Sequence, residues 1–156
     1  MRPTIYATAA VLAVLATSPL MAQAPQLTWG PAPAIFPAGA KMAVLQGDPG
    51  KAAVFTVRLD LPDGYKVAPH FHPTDEYITV ITGTFLLGMG DKLDSKHATK
   101  LPTGGFGTVD ANMHHFAIAR GRTIVQVNAM GPFVLTYVNP ADDPTKQAKA
   151  GPGTNK

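Results

Sequence analysis

From Val54 to Leu61 the chain alternates strictly. Phe55, Val57, Leu59 and Leu61 are apolar, and Thr56, Arg58 and Asp60 lie between them. A period of two marks a strand with one face buried. Asp48-Pro49-Gly50 precedes it as a turn signal, and Pro62-Asp63-Gly64 ends it. Similar short segments follow. Residues 65–72 read as extended, up to Pro73-Thr74-Asp75. Residues 77–81 are β-branched and apolar, Thr82-Gly83-Thr84 predicts a turn, and 85–89 predict another strand. Residues 91–100 are polar and predict a loop or a helical turn. Gly104-Gly105 and Gly107 punctuate the chain before a strand at 115–119. Arg120-Gly121-Arg122 predicts a further turn, and 124–128 and 133–138 complete the set. Short strands, Gly/Pro turns and almost no helical periodicity predict an all-β fold, a sandwich or small β-barrel. No internal repeat is visible.

The two ends do not follow this pattern. Arg2 precedes an apolar run over 5–15, Ser18-Pro19 breaks it, and small residues follow at Ala22 and Ala24. This pattern predicts a secretory signal peptide over 1–22. A cut after 24 satisfies Ala-x-Ala but leaves Pro25 just after it. The apolar run is shorter than the roughly 20 residues of a membrane span, so no stable membrane insertion is expected after cleavage. The expected location is periplasmic or secreted. Residues 23–40 are rich in Pro and Ala, and Trp29, Ile35 and Phe36 suit an arm laid over the domain. Residues 41–140 form the expected β-barrel domain. Residues 141–156, rich in Pro, Lys and Gly, are expected to fray.

Composition removes several options. The chain has no cysteine, which excludes disulfides and thiolate zinc sites. The formal charge is +3, with no basic cluster carrying interleaved aromatics, so nucleic acid is not an expected partner.

The histidines carry the candidate chemistry. Four of five lie in two short segments, His70-Phe71-His72 and His114-His115, and Glu76 is the only glutamate. On a strand, His70 and His72 project from one face, and Glu76 can fold back from the start of the next strand. Imidazoles with a carboxylate suit divalent iron, manganese, nickel or zinc.

The spacing resembles the first motif of the cupin superfamily, carried here by Gly64, His70, His72, Glu76 and Gly83. The second cupin motif is matched by Gly104 and His115, while Asp110, Asn112 and Ala119 stand at its Pro, Gly and Asn places. Asn tolerates the left-handed conformation that a turn glycine supplies. The family spacing selects His115. A slip of one residue would put His114 in its place, with Val109 and Ala111 at the Pro and Gly positions. The resemblance covers roughly residues 41–140 and lies toward small, exported, single-domain bacterial cupins. It implies a double-stranded β-helix, or jelly roll, with His70, His72, Glu76 and His115 as metal ligands.

Four protein ligands would leave two positions open on six-coordinate iron, manganese or nickel. They would nearly saturate zinc, so the first three are favoured. Open positions suit a dioxygenase-like oxidoreductase acting on a small bidentate substrate, with Glu76 as a catalytic base. The alternatives are an isomerase or decarboxylase on the same site, and a cupin that binds metal or a small ligand without turnover. A homodimer through sheet edges or the apolar arm is compatible with the sequence. Other residues have blander readings. His97 is expected in a solvated loop and Asp75 in turn chemistry. Phe85, Met89, Met113, Tyr77 and Phe116 could line a pocket but are expected in the core. Arg120 and Arg122 are expected as solvated charge.

Overall fold

The computed structural model of the chain describes residues 26–147. The expected signal peptide over 1–22 and the end of the tail, 148–156, lie outside the described residues. Among the described residues nine strands run in chain order: β1 (Gly30–Pro31), β2 (Lys41–Gln46), β3 (Val54–Leu61), β4 (Lys66–Phe71), β5 (Glu76–Met89), β6 (Thr99–Pro102), β7 (Phe106–Val109), β8 (His115–Met130) and β9 (Thr136–Tyr137). All pairings are antiparallel.

β5 and β8 organise the molecule. They pair along nearly their whole lengths, from Glu76 opposite Ala129 to Met89 opposite His115. The first part of β5 and the last part of β8 belong to one half, in the order β1-β2-β3-β8-β5-β7. The remaining parts belong to the other, in the order β6-β5-β8-β4-β9. The result is a curled, barrel-like all-β fold.

This arrangement corrects two predicted turns. Thr82-Gly83-Thr84 and Arg120-Gly121-Arg122 bend their strands without ending them. Gly83 (φ +85°) and Gly121 (φ +68°) take the left-handed conformation at the bend. Buried Thr123 ties the bend together: its Oγ1 accepts from Thr84 N at 3.3 Å and lies 3.1 Å from Thr84 O and 3.0 Å from Gly121 O. A glycine at a coordinated bend and a glycine at a hairpin tip look alike in sequence.

β3 lies where the alternation places it. Phe55, Val57, Leu59 and Leu61 are buried in the main core with Val125 and Val127 of β8 and Phe85, Leu87, Ala117 and Ala119 of the other half. Its polar face is also largely covered, because Thr56 accepts from Asn128 and Asp60 accepts from Arg122. The predicted strand at 133–138 shrinks to Thr136–Tyr137. The arm contributes β1 and Phe36, which enters the core, while Trp29 and Ile35 are half-buried. Two tyrosine hydroxyls fasten it: Tyr65 donates to Pro37 O at 2.5 Å and Tyr137 donates to Ile35 O at 2.8 Å. The described start of the tail carries short regular elements. Asn139 caps a 3-10 turn (Pro140–Asp142), and Asp143 accepts from Thr145 at the head of a short helix, α1 (Pro144–Gln147).

Candidate metal centre

The site begins with a departure from regular pairing. Val67 of β4 faces the interior, so strict alternation would turn Pro69 and Phe71 inward after it. The β4–β8 register shifts between Val67 and His70 instead. Irregularities of this kind re-aim side chains, and here His70 and His72 line the interior with Val67. His115, the first residue of β8, pairs directly with His70. Glu76, the first residue of β5, enters from the turn that follows Pro73.

The three imidazoles converge. One nitrogen from each of His70, His72 and His115 lies within 4.8 Å of the others, and all three residues are buried. Glu76 Oε2 stands 3.4 Å from His115 Nε2 and 3.8 Å from His72 Nε2. Ligand atoms each about 2.1 Å from one ion stand about 3 to 4 Å apart, so the three imidazoles are gathered closely enough to share a cation, with the Glu76 carboxylate beside two of them.

The second ring nitrogens show what these histidines are prepared for. His70 Nδ1 lies 2.7 Å from Ala68 O, His72 Nδ1 2.7 Å from Val134 O, and His115 Nδ1 3.0 Å from Met113 O. A carbonyl only accepts, so each Nδ1 carries the proton and donates it. In the neutral ring Nε2 is then a bare lone pair. His72 Nε2 is buried without a hydrogen-bond partner. Burial holds the His70 imidazole well below its usual range, helped by neighbouring His115 and His72. Burial also lowers His72, against the pull of Glu76 and the bond to Val134. Neutral imidazoles oriented from behind by carbonyls are the state in which histidine binds metal. A ring of acceptors with a carboxylate beside it suits a cation at its centre, so the residues fit a divalent metal.

His114 and His115 face opposite ways. His115 is 1 % exposed and faces the cluster. His114 stacks on Phe71 and pairs with Asp91 at 2.6 Å, outside the site. Asn112 takes the left-handed conformation (φ +63°) that the second motif gives to glycine. The turn it belongs to is joined to the first motif, since Asn112 N donates to His72 O at 2.7 Å and Ala111 N donates to Asp75 Oδ1 at 2.8 Å. Asp75 is thus turn chemistry, though across two turns and not within its own. His97 sits in an exposed loop with Asp94, 2.6 Å away.

The candidate pocket residues divide. Phe85 lines the cavity behind the histidines. Met89 and Met113 are about half exposed (50 % and 48 %) and belong neither to the core nor to the cavity. Tyr77 is exposed as well, and Phe116 packs with Leu86 and Ile118 in a second cluster. Tyr77 faces outward between buried Glu76 and Ile78, Met89 is exposed at the end of β5, and Phe116 is buried as expected. Arg122 is not simple solvated charge, because it holds Asp60 in a two-point pair at 3.0 and 2.7 Å. Sequence reasoning missed Phe36 and Phe133, which line the cavity at the histidines. The Phe133 ring stacks on His72, with centroids 5.0 Å apart and planes at 16°. No signal in the chain marks Phe133, which lies on irregular backbone between β8 and β9.

No family model matches the chain, and no curated protein does either. Solved structures do. A candidate acetylacetone dioxygenase from Methylibium petroleiphilum is 22 % identical, with a TM-score of 0.58, covering 76 % of this chain and 79 % of that one. The polyketide cyclase RemF from Streptomyces resistomycificus is 17 % identical, with a TM-score of 0.55, covering 72 % of this chain and 80 % of its own. An RmlC-like cupin from Shewanella frigidimarina is 17 % identical, with a TM-score of 0.51, covering 59 % and 76 %. At these identities the likeness concerns backbone architecture, and it agrees with the strand order: the chain has the fold of the cupin superfamily, a double-stranded β-helix.

Proposed function

We propose that this chain is an exported metal-dependent cupin that holds iron, manganese or nickel with His70, His72, His115 and Glu76 and acts as a dioxygenase-like oxidoreductase on a small organic molecule. The observation that carries the metal reading is the set of three Nδ1–H groups donated to backbone carbonyls, with the opposite nitrogens gathered in one buried place. Zinc is less suited, because four protein donors would leave it little room for a substrate.

In this reading the ion supplies Lewis acidity and, for a redox-active metal, electrons for dioxygen chemistry. The protein does the rest. Ala68, Val134 and Met113 fix the imidazoles through their carbonyls. The apolar walls exclude bulk water. Glu76 holds one donor position and can release it to take a proton from a bound substrate hydroxyl. The neighbouring folds support no single reaction, since one solved relative is described as a candidate dioxygenase and another as a cyclase. Export rests on the signal-peptide pattern at 1–22.

The test is elemental analysis of chain purified without a chelating tag, followed by oxygen uptake with enediol and catechol substrates. His70→Ala and Glu76→Ala should each lose most of the bound metal. Unchanged metal content in both variants would reject the site. A second reading, metal binding without turnover, is favoured by one observation: the free space behind the histidines is only about 30 Å³. Metal retention with no oxygen uptake on any substrate would support it.

A further inference from the structure

The cavity behind the histidines has walls that a metal site alone does not require. Among the described residues, every one lining it apart from His70, His72, His115 and Glu76 is apolar, and no lysine or arginine reaches it. Its free space of about 30 Å³ holds only about two waters, at roughly 10–15 Å³ each. An organic ligand reaching behind the histidines therefore needs more room than this space gives.

One wall residue is placed to move. All the other lining side chains are buried, and Phe133 alone is partly exposed. It is thus the most solvent-exposed residue of the lining. Its ring lies over His72, edge-on to Phe55 at 5.3 Å and stacked on Phe36 at 6.2 Å. Its backbone is fixed on both sides. Phe133 N donates to Pro49 O at 2.7 Å, and Val134 O accepts from His72 Nδ1. The ring can swing about its own side-chain torsions while the bond that orients His72 stays in place.

Charge limits the ligand as well. As metal ligands the imidazoles are neutral and Glu76 is a carboxylate, the one acidic side chain of the lining. A divalent ion leaves the site at +1, which a monoanion neutralises. A dianion would leave a negative charge facing apolar walls without a cationic partner, and such charges are strongly disfavoured.

We propose that Phe133 is the gate and size-setting residue of this cavity, and that the ligand it admits is a compact bidentate oxygen chelator with an apolar body and a single negative charge. This rests on the metal reading given above, and the test separates the two. The full chain is reconstituted with nickel(II), its metal content is measured, and it is then titrated with tropolonate, an isopropyl-substituted tropolonate and oxalate while the metal-centred absorption is followed. The wild-type chain should bind tropolonate, and oxalate at least tenfold more weakly. Phe133→Ala should keep its nickel and gain at least tenfold in affinity for the isopropyl compound, with Phe133→Leu in between. A wild-type chain that retains no nickel overturns the metal reading and this proposal together. Nickel retained with oxalate bound as tightly as tropolonate, or with no response to tropolonate, overturns the ligand class. Nickel retained with unchanged chelator affinities in both Phe133 variants overturns the gate.

Discussion

Gly88 faces Phe116 across the β5–β8 pair, and a Cβ built on it would fall inside the Phe116 ring. Phe116 is buried against Leu86 and Ile118 and has no room to retreat. Gly88→Ala should therefore lower stability by about 1–3 kcal/mol, the usual cost of overpacking, measured as a shift in urea midpoint. Asp60 gives a prediction in acid. The Arg122 hydrogen bonds hold its carboxyl below the ordinary value of 3.8, against some burial, and the charges of Arg122 and Lys41 add to this. A depressed carboxyl contributes stability that is present above its unfolded value, about 3.9, and lost as pH falls through the lower folded value. Asp60→Asn should therefore flatten the loss of stability below about pH 4. The effect is small, because the Arg122 side chain is 71 % exposed and solvent screens the pair. At this scale the three clustered histidines, His70, His72 and His115, were legible in the sequence, because imidazoles at set spacings carry their chemistry with them. Ala68, Val134 and Met113 were not, since they act through carbonyls that every residue possesses.

Among the elements, the two turns beside the clustered histidines are tied into one piece. Asp75, after β4, accepts from Ala111, before β8, and Asn112 donates to His72 O. Asp75→Ala removes no ligand, yet it should loosen the placement of His115 relative to His72. The expected outcome is metal affinity weaker by about 10-fold or more, read by competition with a chelator, with the fold retained. This staple explains how a second motif that lacks its usual proline and glycine still presents its histidine. The sequence could suggest the role of Asn112, because its left-handed tolerance is intrinsic. It could not reveal the partner of Asp75, which lies far along the chain. The bends at Gly83 and Gly121 were hidden for a related reason: whether a glycine reverses a strand or bends it depends on the strand opposite.

For the whole molecule, the arm closes one side of the core and depends on two hydroxyls. Burial pushes the Tyr137 phenol up to about 12, with Asp143 and Asp142 adding to it, and burial also raises Tyr65. A raised phenol favours the protonated form in the folded state. The stability it contributes is complete below the unfolded value, about 10, and is lost as pH rises toward the folded value. Stability should therefore fall from about pH 10 upward, and less steeply in Tyr137→Phe. The same substitution should cost about 1 kcal/mol at neutral pH, where it leaves Ile35 O without its donor. Denaturant titrations at pH 7 and pH 11 check both outcomes. The all-β class was legible from alternation and turn residues. The division into halves was not, because it depends on two strands that each serve both.

Those shared strands also govern how the chain reaches this state. The β2–β3 and β5–β6 ribbons pair neighbours in sequence, but β8 alone joins β3 and β4 to β5. Val57 must wait for Val127, and His70 for His115. Pairings this distant in sequence make folding slow, and neither half can assemble before residues 115–130 are available. A chain synthesised from its N-terminus stays uncommitted until late, which is the condition a polypeptide needs in order to be threaded unfolded through a translocation channel.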